Sequence, residues 1–234
     1  MDDELVTREN LSPNWNERTL PVTMLVLHYT GMQTGAEAEA RLVDPAAQVS
    51  AHYIIHEDGC VVRLVPEDKR AWHAGRSFWR GISDVNSASI GIELVNPGHE
   101  WGYREFPEAQ MDALLPLLAA IVDRHDIPRA NVVGHSDVAP ARKDDPGELF
   151  DWPLLARHHL ALPVPKPRMR LVYDNDSAFF LALERFGYDI SDGHAAIRAF
   201  ERRWRPHKIA GEPDGQIGAM LFELLLQRDM GQAR

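Results

Sequence analysis

Residues 107–134 read PEAQMDALLPLLAAIVDRHDIPRANVVG. Over 107–125 the apolar residues recur at helical spacing. Pro107 sits near the first turn, where its fixed φ and missing N–H are tolerated, so the spacing predicts a helix. A short break follows, and 131–134 (NVVG) is a brief apolar run of the buried-strand type. A helix that delivers a buried strand is the repeating step of an α/β fold.

Working back towards the N-terminus, the same alternation recurs. Residues 89–95 (SIGIELV) and 22–29 (VTMLVLHY) are strand candidates. Residues 51–56 (AHYIIH) and 60–65 (CVVRLV) flank Glu57-Asp58-Gly59, which predicts a hairpin. Between them, 36–43 (AEAEARLV) suits a short helix, stopped by Asp44-Pro45. The expected class is α/β, with a mixed central β-sheet flanked by helices.

Working forward, residues 161–174 begin with ALPVPKP, which is proline-rich and aperiodic, and read as a linker. Three helical patterns follow: 177–186, 193–204 with Ile197, Phe200 and Trp204 on one face, and 214–227 with Ile217, Met220, Leu221, Leu224 and Leu225. Asp192 and Asp214 stand where N-caps belong. The expected organisation is a catalytic domain over 1–160, a linker over 161–174 and a small three-helix domain over 175–234. A unit that small buries little core of its own and is expected to pack on the first.

The chain has 234 residues, 44% apolar and 26% charged, with a formal net charge of −10. That charge argues against a nucleic-acid-coating protein, which needs a cationic surface. Cys60 is the single cysteine, so an internal disulfide and a thiolate metal cluster are both excluded. A metal here has to be held by histidines and carboxylates. The start, MDDELVTREN, lacks the basic and apolar regions of a secretory signal, and no apolar run reaches the length of a membrane span. The expectation is a cytoplasmic protein, with a periplasmic or outer-membrane-associated one as the alternative if a leader has been removed.

His28 ends the strand at 22–29. His135 follows the strand at 131–134, and Asp145 comes ten residues later in GHSDVAPARKDDPG, 134–147. If the two strands end side by side, two imidazoles and a loop carboxylate meet at one sheet edge. Two nitrogens and one oxygen make a three-ligand zinc site of catalytic type. The bland alternative is a polar turn after each strand, and spacing alone leaves both open.

Five stretches together resemble one family. HYTG at 28–31, VSAHYIIHEDG at 49–59, AWHAG at 71–75, SIGIEL at 89–94 and GHSDVAPARKDDPG at 134–147 are similar to the N-acetylmuramoyl-L-alanine amidases of the peptidoglycan-recognition type, in that family's order. The resemblance is closest to the zinc amidases acting on anhydro-muropeptides, including the two-domain type. GEPDGQIGAML at 211–221 resembles small three-helix peptidoglycan-binding domains.

The resemblance implies a Zn2+ held by His28, His135 and Asp145. It implies Glu93 as the catalytic carboxylate and Lys143 beside the metal. Cleavage falls between the lactyl group of N-acetylmuramic acid and the L-alanine of the stem peptide, in wall turnover or muropeptide recycling. The implied partners are peptidoglycan fragments or the sacculus. Some relatives carry an assisting Tyr before the His of the "HY" strand; Ala51 stands there, so that role is absent. Trp72 and His73, and with them Arg80 and Asn86, are expected along the substrate wall. Two other readings compete. A non-catalytic muropeptide-binding module generally lacks a zinc ligand, and all are kept here. A zinc peptidase of the H-E-x-x-H type lacks its signature here.

Overall fold

A computed structural model of the chain describes residues 4–167, 171, 173 and 175–231. Its strands are β1 (Arg8–Glu9), β2 (Trp15–Glu17), β3 (Met24–Tyr29), β4 (Tyr53–Ile55), β5 (Val61–Arg63), β6 (Lys69–Ala71), β7 (Ser89–Leu94) and β8 (Val132–Gly134). Its helices are α1 (Gly35–Val43), α2 (Val85–Ala88), α3 (Gly98–Trp101), α4 (Glu108–His125), α5 (His135–Val138), α6 (Trp152–Arg157), α7 (Asp176–Phe186), α8 (Gly193–Trp204) and α9 (Gly215–Gly231).

The main sheet runs β1-β5-β4-β7-β3-β8, and β2 and β6 form a separate antiparallel ribbon. Within the main sheet the β4–β5 hairpin is antiparallel and the other pairs are parallel. Successive strand side chains alternate between faces. On one face Leu25, Leu27, Ile90 and Ile92 pack against Leu114, Leu118 and Ile121 of α4. Each of these fully buried strand side chains contributes about 1.5–3 kcal/mol. On the other face Met24 and Val26 meet Phe186, Ile197, Phe200 and Leu221 from the C-terminal helices. Further along that face Ile54 and Val62 meet Ala38 and Leu42 of α1. Ala38 and Leu42 also border a cleft on that face.

The helix ends follow their sequence. Thr34 and Glu37 close a capping box on α1. Asp192 accepts from the Ala195 amide at the start of α8, and Asp214 accepts from the Ile217 amide at the start of α9. The elements β1, β2 and β6 and the short helices α2, α3, α5 and α6 go beyond the sequence reading. β1, β2 and β6 are strands of two or three residues, too short to show a period, and α5 is one helical turn inside the stretch read as a loop. Of the expected linker, 162–167 carry no regular structure, and 168–170, 172 and 174 lie outside the described residues. No described helix is long and apolar enough to cross a membrane.

Candidate active site

Strand register builds the site. His28 of β3 lies directly beside Glu93 of β7, and Leu27 lies beside Gly134 of β8. One residue further, His135 therefore leaves β8 level with His28. Both His28 and Glu93 share the parity of Met24 and Val26 and face away from α4. The stretch 143–147 returns to this edge, with the Ser136 amide donating to the Asp145 carbonyl at 2.8 Å.

Three atoms meet there. His28 Nδ1 and His135 Nδ1 are 2.9 Å apart, and Asp145 Oδ2 lies 3.1 and 3.0 Å from them. All three residues are buried. The tautomers follow from acceptor-only groups at the periphery. His135 Nε2 is 3.1 Å from the Ala74 carbonyl, so it carries the proton and leaves Nδ1 with a lone pair. Ser89 Oγ donates to the Val85 carbonyl at 2.5 Å. It therefore accepts from His73 Nε2 at 3.2 Å, and His73 Nδ1 accepts from His28 Nε2 at 3.0 Å. His28 Nδ1 is thus also a bare lone pair.

Two lone pairs and a carboxylate oxygen face one another with no proton between them. Electrostatics makes that arrangement costly unless a cation sits at its centre. The spacing fits one: a tetrahedral ion with bonds of about 2.0 Å has ligand atoms about 3.3 Å apart. These residues can hold a metal ion. Burial keeps His28 neutral, its pKa lowered to about 4, with His135 adding to the fall and Asp145 opposing it.

Glu93 faces this triangle across the strand pair. Its Oε2 is shielded from water and has no hydrogen-bond partner among the described residues. Burial, then the charge of Asp145, pushes its carboxyl well above the usual range, and Lys143 opposes the rise. A carboxyl tuned upward beside a candidate metal centre is suited to exchanging protons with a reacting group.

The β7 stretch SIGIEL now has a physical reading. Ser89, Gly91 and Glu93 share one face. A Cβ on Gly91 would come within 2.4 Å of the His73 ring, so the glycine makes room for that imidazole. Ser89 then takes its outer proton.

A cleft of ≈ 450 Å³ opens over the site, lined by Trp72, His73, Glu93, His135, Lys143 and Asp145 among others. Trp72 is a wall residue there, with its Nε1 donating to Asn16 Oδ1 at 2.6 Å. His73 is buried and both its ring nitrogens are engaged, which leaves it no free polar atom for a substrate. Asn86 and Arg80 are not brought to the cleft. Asn86 Oδ1 accepts from the His73 and Ala74 amides at 3.1 and 2.7 Å, holding the AWHAG turn. Arg80 donates to the Phe186 carbonyl at 3.0 Å and to Asn131 Oδ1 at 2.8 Å, at the junction with the C-terminal helices. Its cationic place in the cleft is taken by Arg41 of α1 and Arg142. Arg142 is tied to the carbonyls of Ala74 and Arg76. Arg41 follows a helix-spaced pattern, which carries no hint that the helix borders a site.

Known proteins share this chain's pattern. A family model described as N-acetylmuramoyl-L-alanine amidase matches residues 18–148. The chain is 36% identical over 230 residues to N-acetylmuramoyl-L-alanine amidase AmiD of Escherichia coli (strain K12), covering 87% of this chain and 82% of that one. The structure of that AmiD with the substrate anhydro-N-acetylmuramic acid-L-Ala-D-gamma-Glu-L-Lys has a TM-score of 0.80 at 34% identity, covering 91% of this chain and 92% of that one. AmpDh3 from Pseudomonas aeruginosa in complex with anhydromuramic pentapeptide gives 0.77 at 28% identity, covering 93% and 98%. The 1,6-anhydro-N-acetylmuramyl-L-alanine amidase AmpD of Enterobacter cloacae is 42% identical over 114 residues, 49% of this chain and 57% of that one.

Proposed function

This chain belongs to the N-acetylmuramoyl-L-alanine amidase family and is an N-acetylmuramoyl-L-alanine amidase, and we propose that it works as a zinc enzyme on anhydro-muropeptides. The observation that carries the metal reading is the triangle of His28 Nδ1, His135 Nδ1 and Asp145 Oδ2, with lone pairs facing inward and sides of 2.9–3.1 Å. Two imidazoles and one carboxylate, with the cleft opening over them, suit zinc in a catalytic site. Bound there, zinc supplies a Lewis acid that polarises the scissile carbonyl and makes water acidic enough to attack near neutral pH.

The protein's own groups do the rest. Glu93 takes the proton that the attacking water sheds and returns it to the leaving alanine nitrogen, since an amine leaves an amide only when protonated. The carboxyl's raised affinity for protons suits both halves of that transfer. Lys143, on the cleft wall, places its ammonium near the oxygen on which negative charge develops. Trp72 offers a flat apolar face to the sugar or peptide. Arg41 is the cleft cation we assign to a stem-peptide carboxylate.

The solved AmiD and AmpDh3 complexes carry anhydro-muropeptides, which supports that substrate class for this chain. The reading places the enzyme in wall turnover or fragment recycling, and cell fractionation tests the cytoplasmic location expected for the latter. The direct test of function is mass spectrometry of a purified anhydro-muropeptide incubated with zinc-loaded wild type and Glu93→Ala. Release of the L-Ala-headed peptide by wild type, lost in a variant that keeps its zinc, is the expected result. No release by zinc-loaded wild type, from this substrate or from sacculi, overturns both the substrate class and the mechanism.

A further inference from the structure

The C-terminal helices reach the loop that carries two of the three candidate metal ligands. Asp137 lies two residues after His135, and its side chain is fully buried. A buried carboxylate needs partners, because an uncompensated charge out of water is expensive. Its own loop supplies one, the Gly134 amide at 2.8 Å. The others come from the C-terminal segment: Tyr188 Oη donates to Asp137 Oδ1 at 2.5 Å, and Arg203 Nη1 donates to Oδ2 at 2.7 Å.

Arg203 is fixed in turn. Its Nη2 donates to the Val132 carbonyl of β8 at 2.9 Å. Its guanidinium lies between the Trp152 ring at 4.0 Å and the Trp204 ring at 4.5 Å. The neighbouring Arg202 pairs with Asp144 at 2.6 Å, next to the ligand Asp145 on the returning arm of the loop. One turn of α8 therefore grips both arms.

We propose that the C-terminal helical unit is a brace for the metal-bearing loop, acting through Tyr188 and Arg203 on Asp137 and through Arg202 on Asp144. The proposal rests on the reading of His28, His135 and Asp145 as metal ligands. A tethered wall-binding module makes few contacts with its catalytic partner. Here the helices share one apolar cluster with Met24, Val26 and Val133 of the sheet. They cover the part of that sheet face formed by Met24 and Val26, next to His28. Removing residues 171–234 strips that face, so truncation reads collapse rather than lost wall binding, and the test needs single side chains in the full chain.

Tyr188→Phe removes one hydroxyl and keeps the ring. Leu224→Ala opens the same helical core in α9 and touches neither Asp137 nor Asp144. Two quantities are read: the zinc dissociation constant, by competition with a chromophoric chelator, and the exchange rate of the Ser136 amide in the metal-free chain. Tyr188→Phe is expected to weaken zinc binding about fivefold, the scale of one buried hydrogen bond, and to speed Ser136 exchange. Leu224→Ala is expected to lower Tm yet leave both readings at their wild-type values. The brace is overturned if Tyr188→Phe matches wild type in both, or if Leu224→Ala moves both as far as Tyr188→Phe does. If wild type itself binds no zinc, the metal reading fails, and Ser136 exchange alone still decides the brace.

Discussion

Replacing His73 by Ala separates two roles for that residue, a substrate contact or a support for the metal site. In the structure His73 Nδ1 accepts the proton on His28 Nε2 at 3.0 Å, and His73 Nε2 passes the chain to Ser89. The alanine leaves the His28 N–H without its acceptor, in a position that is buried. An unsatisfied buried donor costs about 1–3 kcal/mol, and at about 1.4 kcal/mol per tenfold this is a loss of about 5–150-fold in metal affinity. Outer-shell partners of metal-bound histidines cost about 10–100-fold when removed, which agrees. Water entering the vacated space moves the result to the lower end of that range. The assay is chelator competition on purified protein, with far-UV circular dichroism as the folding control and kcat and KM measured at saturating zinc. The structure predicts weakened zinc binding with KM little changed. Unchanged zinc affinity with a raised KM refutes the tautomer argument and returns His73 to the substrate wall.

Other outcomes follow from the same geometry. Glu93→Gln keeps the shape of the site and loses proton transfer, so kcat should fall about 10²–10⁴-fold while bound zinc stays at the wild-type level. Arg41→Ala should raise KM on the order of fivefold for substrates bearing the stem carboxylates, the scale of a solvent-exposed pair, and leave kcat and zinc content alone. His52 gives a pH test. Burial, with the charge of Arg18 second, lowers its pKa to about 3. The unfolded chain takes that proton near pH 6.5 and the folded chain refuses it. The stability it contributes is therefore complete above about pH 6.5 and is lost at about 1.4 kcal/mol per pH unit as pH falls towards 3. Urea unfolding of wild type and His52→Gln between pH 7 and 5 should show that difference in slope, and parallel curves contradict it.

The sequence carried the strands and long helices that build the sheet, because hydrophobic period and turn residues are local signals. It also brought His28, His135 and Asp145 together as candidate metal ligands, through motifs that resemble one family, and the structure places the three side by side. What escaped was non-local. Register between parallel strands decides that His28 sits beside Glu93, and nothing within either strand states the pairing. His73, Asn86 and Arg80 all looked like polar residues near a cleft. Their actual partners, His28, the AWHAG backbone and Phe186, come from distant segments. One overlooked signal was present: Gly91 in the middle of an apolar strand marks a close approach, here by His73. The partnership of Asp137 with Tyr188 and Arg203 spans residues far apart in sequence, so no window of the chain reveals it.

Two neutral imidazoles and one carboxylate converge opposite Glu93 in an arrangement suited to a metal ion. Anomalous diffraction at the zinc edge, from crystals of the zinc-loaded chain, tests it most directly. The expected result is a single strong peak bonded to His28 Nδ1, His135 Nδ1 and Asp145 Oδ2, on the face shared with Glu93. Zinc ligated through either Nε2, or a peak away from these three residues, contradicts it.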